Sequence, residues 1–415
     1  MTGKGHTAST PPAFGGGGEL HLCDSRAGAA SPEHDELVAA LLRWFSRNQR
    51  RLPWRQDYAP YAVWISEIML QQTQMDRAAE YFIRWMQRFP SVQSVSEAHI
   101  DDLLKAWEGL GYYSRVRNLH KAAKEIMAAH NGRIPDSLPA LLALPGVGKY
   151  TAGAVLAIAY NQPHAAVDAN VERVFARLFD VGAPVKSAVS AGFIQDMAET
   201  LLPDGQAREY AQALMELGAL VCRKKPLCDA CPVQRFCQAH RLGIVHERPV
   251  PGRKVHYSAL EIITGLLIVN GHIFIQKRLD SGVWAGFWEF PGGRLEAGET
   301  PQQGIAREFL EETGFAVEVH TRLGIVRHAY TRYRIVMHCF ILDISTAKAP
   351  ARTPDLQGFP VPTLTAATEY RWVLPDELDA FTMPAGHRKL ADAWLPQIRD
   401  AAGFGAQKNE GAAHA

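Results

Sequence analysis

The chain has 415 residues, more than one domain of about 100–200 residues usually contains, so we expect at least two domains. With 47% hydrophobic and 21% charged residues, its composition is that of a globular protein and excludes collagen, a coiled coil and wholesale disorder. The formal net charge of +1 does not indicate a nucleic-acid binder, so such binding would have to depend on local patches. We find neither an apolar run of membrane-spanning length nor an apolar leader, and we expect a cytoplasmic protein that contacts no membrane.

The first half of the chain is predicted to be helical. Residues 1–31 are rich in Gly, Ser, Thr and Pro and are predicted to form a disordered tail. Residues 32–221 place apolar side chains at helical spacing between scattered prolines, which predicts an all-α domain. A cysteine-rich loop at 222–239 and an exposed linker at 240–255 follow.

The second half changes its hydrophobic period. Two strand-like runs meet at Asn270-Gly271, which is a strong hairpin signal, and a helix is predicted through Thr300–Thr313. Residues 256–396 are therefore predicted to be an α+β domain, followed by a disordered tail at 397–415. The predicted fold class is multidomain, all-α and then α+β.

A glycine turn separates two helical patterns in "LLALPGVGKYTAGAVLAIAY". Gly146 and Gly148 allow backbone N–H groups to approach a phosphate, and the next helix adds its positive N-terminal dipole. A Gly-x-Gly pair alone is also common in ordinary loops. Downstream, "AVDANVERVFARL" contains Asp168, and an aspartate there is also a favoured helix N-cap.

These segments resemble a known family of DNA repair enzymes. The glycine turn and Asp168 resemble the helix–hairpin–helix DNA glycosylase superfamily that includes endonuclease III, which implies Asp168 as the catalytic carboxylate. The segments "LPWRQDYAPYAVWISEIMLQQTQM" and "WEGLGYYSRVRNLHKAA" resemble the adenine DNA glycosylases of the MutY family. The match extends from about Trp44 to Cys237.

Glu67 lies among apolar neighbours of a predicted helix, including Trp64, Ile65 and Ile68. Removal from water raises the pKa of a carboxyl group, so it can act as an acid near neutral pH. On the residues alone, a salt-bridged structural glutamate is favoured. The family resemblance implies instead that Glu67 protonates the adenine ring.

Tyr150 stands where endonuclease III-like enzymes place the lysine that forms a Schiff base and cleaves the strand. Lys149 precedes it, but one residue turns a helix by about 100°, so Lys149 should not point where that nucleophile would. The sequence therefore disfavours a strand-cleaving lyase.

Four cysteines within sixteen residues predict a metal centre, and they are Cys222, Cys228, Cys231 and Cys237. Structural zinc usually uses two separated Cys-x2-Cys pairs, and only one such pair occurs here, so the spacing favours a 4Fe–4S cluster. The loop resembles the iron–sulfur loop of both glycosylase branches, although its first gap is one residue shorter than usual.

Basic residues near this loop have two interpretations. Arg223, Lys224 and Lys225 are either phosphate contacts or a solvated basic turn. An exposed helix face is favoured over DNA contact for an earlier run formed by Arg43, Arg47, Arg50, Arg51 and Arg55.

The segment "GGRLEAGETPQQGIAREFLEETGF" fits a complete Nudix box. On a helix, Glu308, Glu311 and Glu312 share one face, and such a carboxylate cluster suits Mg²⁺ unless it is simply a solvated acidic face. The MutY family's C-terminal domain resembles Nudix hydrolases in fold but normally lacks this box. The family's usual lesion-reading turn is replaced here by Tyr330, Thr331 and Arg332.

The resemblance implies a monomeric, monofunctional glycosylase that acts on double-stranded DNA with adenine opposite 8-oxoguanine or guanine. Gln72 and Tyr112 would wedge the duplex while the base leaves the stack. Asp168 would stabilise the oxocarbenium charge, and Tyr150 and Asn170 would orient the reacting groups. Three alternatives stay open: an endonuclease III-like lyase, a Nudix pyrophosphohydrolase, and a non-catalytic DNA-binding module.

Overall fold

The computed structural model describes residues 31–252, 257–330, 332–345 and 355–403. They divide into two compact units, the first formed by residues 31–51 with 149–252 and the second by 52–148 with those from 257 onwards. Within the described residues, no helix has the length and hydropathy that a membrane span requires. The predicted N-terminal tail lies outside the described residues, apart from Ser31.

As predicted, the first half is helical. In chain order its α-helices are α1 (Pro32–Asn48), α2 (Pro60–Leu70), α3 (Met75–Arg88), α4 (Val92–Glu97), α5 (Ile100–Trp107), α6 (Ser114–His130), α7 (Leu138–Ala143), α8 (Lys149–Ile158), α9 (Ala169–Leu178), α10 (Ala188–Thr200), α11 (Ala207–Leu220) and α12 (Gln238–Arg241).

The first unit is built from α1 and α8–α12. Its core packs apolar residues of α1, such as Leu41 and Phe45, with Phe175 of α9 and Leu217 of α11. Partly buried cysteines of the loop after α11 pack against the same core. The cysteine loop is therefore attached to the helices that follow Asp168.

The helical part of the second unit, α2–α7, has a tryptophan-rich core. Trp64, Trp85 and Trp107 are completely or almost completely buried. The rings of Trp85 and Trp107 meet edge to face, with centroids 5.5 Å apart. Such pairs stabilise a core beyond the burial of their area.

The rest of the second unit is α+β, as predicted. Its elements are β1 (Ser258–Val269), β2 (His272–Arg278), β3 (Trp288–Glu289), β4 (Gly292–Arg294), α13 (Pro301–Thr313), β5 (Val317–Tyr330), β6 (Tyr333–Ile344), β7 (Ala367–Val373) and α14 (Ala385–Ala401). Thus α14 continues beyond residue 397, where the C-terminal tail was predicted to begin; residues 404–415 lie outside the described residues.

The sheet is mixed and has the order β3-β2-β1-β6-β5, with β4 paired to β1 and β7 to β2. The predicted hairpin is confirmed, because Val269 pairs with His272 across Asn270-Gly271, and both turn residues have positive φ. One apolar cluster places α14 against the sheet, and another places α13 against it.

Within the second unit, the α+β part contacts the helical part around the segment that joins α5 to α6. The rings of Tyr113 and Phe287 meet edge to face at 4.5 Å, and Arg388 Nε lies 3.0 Å from Glu108 Oε1. Lys277 forms a further ion pair with Asp101 at 2.9 Å. These contacts involve side chains that are at most partly exposed, so they fix how the two parts of this unit pack.

Candidate functional site

Asp168 is the N-cap of α9. Its Oδ1 accepts hydrogen bonds from the backbone N–H groups of Asn170 at 2.9 Å and Val171 at 2.8 Å. Its Oδ2 accepts from Asn170 Nδ2 at 2.7 Å. The N-cap interpretation of Asp168 is therefore confirmed, and the three donors fix the orientation of a half-buried carboxylate at a helix N-terminus.

Asn170 connects Asp168 to the cysteine loop through Arg173. Arg173 donates from one Nη to Asn170 Oδ1 at 2.8 Å and from Nε to the backbone carbonyl of Cys222 at 2.8 Å. Burial lowers the pKa of Arg173, and the neighbouring charges of Cys222 and Asp168 oppose that shift. The carboxylate and the first cysteine of the loop thus belong to one hydrogen-bonded chain.

Glu67 lies in the middle of α2. Its side chain is buried, with 3% of the residue exposed, among Trp64, Ile65 and Ile68, which are themselves buried. This confirms the burial predicted from the sequence. A carboxyl group in such surroundings is suited to proton transfer rather than to solvation. Glu67 belongs to the second unit and Asp168 to the first.

Tyr150 is the second residue of α8 and is half-buried, whereas Lys149, the first, is exposed. The two side chains therefore leave the helix in different directions. Of the two predicted glycines, Gly146 has a φ of +78°, and a Cβ there would lie 2.7 Å from Asn118 Cβ of α6. Gly148 is exposed, with open space around it, and it remains a predicted phosphate contact.

Gln72 and Tyr112 lie in two turns, after α2 and before α6. Both residues are exposed, and both have left-handed backbone conformations, with φ of 56° and 49°. Non-glycine residues in that region are uncommon and cluster at functional sites. The structure thus presents both predicted wedge residues to solvent on conformationally restrained turns.

The four clustered cysteines are free thiols that line one cavity, together with Arg177 and apolar side chains such as Leu227 and Val245. Burial raises the pKa of Cys231 to about 12, and the other three thiols add to the shift. One Nη of Arg177 lies 3.3 Å from Cys222 Sγ. With its pKa raised in this way, the Cys231 thiol stays protonated near neutral pH, and a metal that binds a thiol brings about its deprotonation.

Among the described residues, no group of three or more His, Cys, Asp or Glu side chains is placed to hold a single metal ion. A 4Fe–4S cluster differs from a single ion, because each of its four thiolate ligands binds a different iron and the sulfurs lie further apart. Four thiols line one cavity and match the number of ligands that such a cluster needs, and its presence stays a prediction.

In the cysteine loop, the backbone carbonyls of two basic residues accept hydrogen bonds, whereas their side chains are exposed. Arg177 donates to the carbonyls of Arg223 at 2.6 Å and Lys224 at 3.3 Å, while both of those side chains face solvent. In the earlier basic run, Arg50 departs from the predicted exposed face, since its Nε lies 2.9 Å from the buried Glu216 carboxylate.

The Nudix box forms a loop and α13 as predicted. Arg307 bridges Glu299, Glu308 and Glu311, at 2.9, 3.0 and 3.1 Å. Gly293 leaves room for Glu308, since a Cβ there would come within 2.5 Å of that carboxylate's atoms. The arginine, rather than solvent alone, balances this part of the acidic face.

Glu312 is held by hydrogen bonds from residues other than Arg307. Its Oε2 accepts from Gln276 Nε2 at 2.9 Å and from the backbone N–H of Gly292 at 3.1 Å. Burial raises the pKa of Glu312 to about 7, and the nearby carboxylate of Glu289 adds to the shift. Of the residues predicted to read the lesion, Tyr330 ends β5 with its ring 4.9 Å from that of Trp284, whereas Thr331 lies outside the described residues.

Three arginines that organise these groups were not singled out in the sequence. Arg115 joins the turns of Gln72 and Tyr112, Arg173 links Asn170 to the cysteine loop, and Arg177 orders that loop. Each acts through contacts with residues distant in the chain, so no local pattern identifies it.

Two family models match the chain. Residues 65–199 match the HhH-GPD superfamily base excision DNA repair protein, and residues 263–393 match the NUDIX domain. The "Adenine DNA glycosylase" of Mus musculus is 32% identical over 369 residues, covering 76% of this chain and 72% of that protein. That of Homo sapiens is 30% identical over 408 residues, covering 85% and 72%.

A solved structure titled "Structure of a thermostable thymine-DNA glycosylase" is also similar. It is 28% identical, covers 51% of this chain and 97% of its own, and gives a TM-score of 0.47.

Proposed function

The chain belongs to the adenine DNA glycosylase family, and we propose that it removes adenine opposite 8-oxoguanine, or opposite guanine, as a monomeric cytoplasmic enzyme. The observation that carries this proposal is the pair of carboxylates, Glu67 inside an apolar helix and Asp168 fixed by three donors at the start of α9. An acid and an anion in contrasting surroundings suit base protonation and cation stabilisation.

The proposed reaction begins with extrusion of adenine, because its glycosidic bond is inaccessible inside the duplex. Gln72 and Tyr112 enter the space that the base leaves. Glu67 donates a proton to the adenine ring, which makes the base a better leaving group. Asp168 stabilises the positive charge that develops on the sugar, as carboxylates do in glycoside hydrolysis, and water completes the reaction.

Asn170 and Tyr150 orient these groups in the proposal. The hydrogen bond from Asn170 Nδ2 to Asp168 Oδ2 supports that role for Asn170. Tyr150, in place of a lysine, supports a reaction that stops at the abasic site without strand cleavage. Gly146, Gly148, Arg223 and Lys224 contact phosphates; the exposure of the two basic side chains supports this.

Cys222, Cys228, Cys231 and Cys237 would hold a 4Fe–4S cluster, which would supply structural order to this loop. Arg177 contributes to the order of this loop, because it donates hydrogen bonds to the loop's backbone and holds it beside α9.

In the α+β domain, Tyr330 and Thr331 read the oxidised guanine. The position of Tyr330 at the end of β5, beside Trp284, supports this assignment.

The test uses full-length protein and duplexes that contain adenine opposite 8-oxoguanine, opposite guanine or opposite thymine. Abasic sites, revealed by alkali, should appear in the first two duplexes. Glu67→Gln and Asp168→Asn should each abolish release while binding of the duplex persists. Glu80→Gln and Asp57→Asn, which change exposed carboxylates, serve as matched controls. Near-normal release by either catalytic variant would remove that residue from the mechanism.

A second activity, hydrolysis of nucleoside diphosphate-linked substrates with Mg²⁺, is favoured by one specific observation. The Nudix box is complete, and Gly293 leaves space for the carboxylate of Glu308 beside Glu311 and Glu312 on α13. In this proposal the three glutamates bind Mg²⁺ through carboxylate oxygens. Arg307 orients Glu308 and Glu311 by its ion pairs.

Full-length protein should be supplied with Mg²⁺ and a panel of nucleotides that includes oxidised dGTP, and pyrophosphate or phosphate release should be followed. Loss of that release in Glu311→Gln and Glu312→Gln, but not in Glu209→Gln of α11, would establish a second active site. No release from any nucleotide, together with no Mg²⁺ binding, would limit the domain to lesion reading.

A further inference from the structure

One buried arginine connects the two turns that carry Gln72 and Tyr112. A single Nη of Arg115 lies 2.7 Å from the carbonyl oxygen of Gln71. The other Nη donates to the carbonyl oxygens of Leu110 and Gly111, both at 3.0 Å. Because the bonds come from two nitrogens of one planar group, the spacing between the two turns is set by the guanidinium itself.

Arg115 also caps the C-terminus of α2, the helix that contains Glu67. Its Nη1, the nitrogen that also faces Gln71, lies 2.8 Å from the carbonyl oxygen of Ile68 and 3.1 Å from that of Met69, both near the end of α2. The two N–H groups of Nη1 are therefore shared among three acceptors. Carbonyl groups at a helix C-terminus have no partner within the helix, and a cation there also interacts favourably with the helix dipole. A single side chain therefore fixes the end of α2 and the turn that follows it.

The surroundings of the guanidinium hold it in one place. Arg115 is 8% exposed, and its Cζ lies 5.2 Å from the ring of Trp107 and 5.8 Å from that of Tyr112. Arginine stacks on aromatic rings while its edges donate hydrogen bonds, and a lysine ammonium cannot reproduce both contacts.

The two turns need such support, because Gln72 and Tyr112 both have positive φ. A left-handed conformation is unfavourable for a non-glycine residue, and it persists only where neighbouring contacts determine it. The contacts that Arg115 makes lie one residue away from each strained position, at Gln71 and Gly111.

We propose that Arg115 is a positioning residue for base extrusion: it sets the turns of Gln72 and Tyr112 at a fixed spacing, so that both side chains enter the duplex together. The inference depends on the proposed function, since it assigns to Arg115 a part in the extrusion step of that reaction. Arg115 touches neither the base nor the sugar, and it acts through the backbone of the two turns.

The test compares Arg115→Lys with the unchanged protein in three measurements. Single-turnover release of adenine opposite 8-oxoguanine should fall by about tenfold or more. In a Glu67→Gln background, which leaves the base attached, the fluorescence rise of 2-aminopurine placed beside the target adenine should be lost. Affinity for an undamaged duplex without a target adenine, into which neither side chain has to enter, should change by less than about threefold.

Arg208→Lys is the matched control. Arg208 likewise donates to carbonyl oxygens at the end of a helix, those of Ile158 at 2.6 Å and Ala159 at 3.0 Å. Its replacement should lower thermal stability by an amount similar to that of Arg115→Lys, while the fluorescence rise and the release rate stay within about twofold of the parent.

The outcomes separate the two proposals. If the unchanged protein releases no adenine, the proposed function fails. If it does release adenine and Arg115→Lys keeps both the rate and the fluorescence rise, the positioning role is wrong. An Arg115→Lys protein that unfolds, or that loses affinity for the undamaged duplex in proportion to its rate, would show that Arg115 only maintains the fold and would also overturn the inference.

Discussion

Asn170 Nδ2 lies 2.7 Å from Asp168 Oδ2, and the backbone N–H of the same asparagine lies 2.9 Å from the other carboxylate oxygen. One residue therefore donates to both oxygens of Asp168. Since Arg173 in turn donates to Asn170 Oδ1, the amide cannot rotate without losing a partner at each end. Asp168 is consequently oriented by its own helix rather than by solvent.

The first prediction concerns this amide. Asn170→Asp keeps the shape of the side chain but replaces the donor to Asp168 with a second carboxylate. We expect single-turnover adenine release to fall by about ten- to a hundredfold, because Asp168 is misoriented and the two anions repel each other. Asn48→Asp, at the exposed end of α1, should leave the rate unchanged. A rate for Asn170→Asp within about twofold of the parent would contradict the orienting role.

The second prediction concerns the DNA strand after adenine has been released. The unchanged protein should give no strand break until alkali is added, and borohydride should not trap it on DNA, because Tyr150 occupies the position that a Schiff-base lysine would need. Tyr150→Lys should introduce measurable trapping. Lys149→Ala, which removes an exposed residue one position earlier, should behave like the parent. Efficient trapping of the parent that disappears in Lys149→Ala would show the prediction to be wrong.

Local signals predicted much of this molecule. The Asn270-Gly271 hairpin, the burial of Glu67 and the helix of the Nudix box all depend on residues within a few positions of one another. The capping geometry of Asp168 was also predicted, because an aspartate directly before an amphipathic helical run is a favoured N-cap.

Contacts between residues that are far apart in the chain could not be predicted from local patterns. Arg115 lies more than forty residues from the carbonyl groups of α2 that it caps, and nothing in its neighbourhood distinguishes it from a surface arginine. Nor did composition indicate that residues 52–148 would share a compact unit with the α+β domain. That grouping depends on side chains such as Tyr113 and Phe287, whose partners only the fold determines.

The third prediction is that the purified protein contains iron rather than zinc, with broad visible absorption and about four irons per chain. Cys231→Ser should lower the iron content and the thermal stability together, since ligands in one loop are lost together. Cys339→Ala, a change at a buried thiol of β6, should leave the iron content unchanged. A colourless, zinc-containing and fully active protein would exclude the cluster.

The last prediction derives from the raised pKa of Glu312, about 7 in the folded protein. The unfolded chain ionises this group near a pH of about 4.3, so between these values the folded state binds more protons than the unfolded state. Stability contributed by the neutral acid is therefore present at about pH 4 and is lost as the pH rises to about 7. Without Mg²⁺, Glu312→Gln should raise the melting temperature at about pH 8 relative to the parent and change it little at about pH 5.

Mg²⁺ should remove this difference in melting temperature, because the cation stabilises the ionised carboxylate. The affinity of the parent protein for Mg²⁺ should increase from about pH 6 to about pH 8. Glu209→Gln, an exposed residue of α11, should show no such pH dependence. Melting curves at the two pH values, with and without Mg²⁺, would make this measurement. A Glu312→Gln protein that is less stable than the parent at the higher pH, with no response of either protein to Mg²⁺, would show that the ionised carboxylate stabilises the fold by itself.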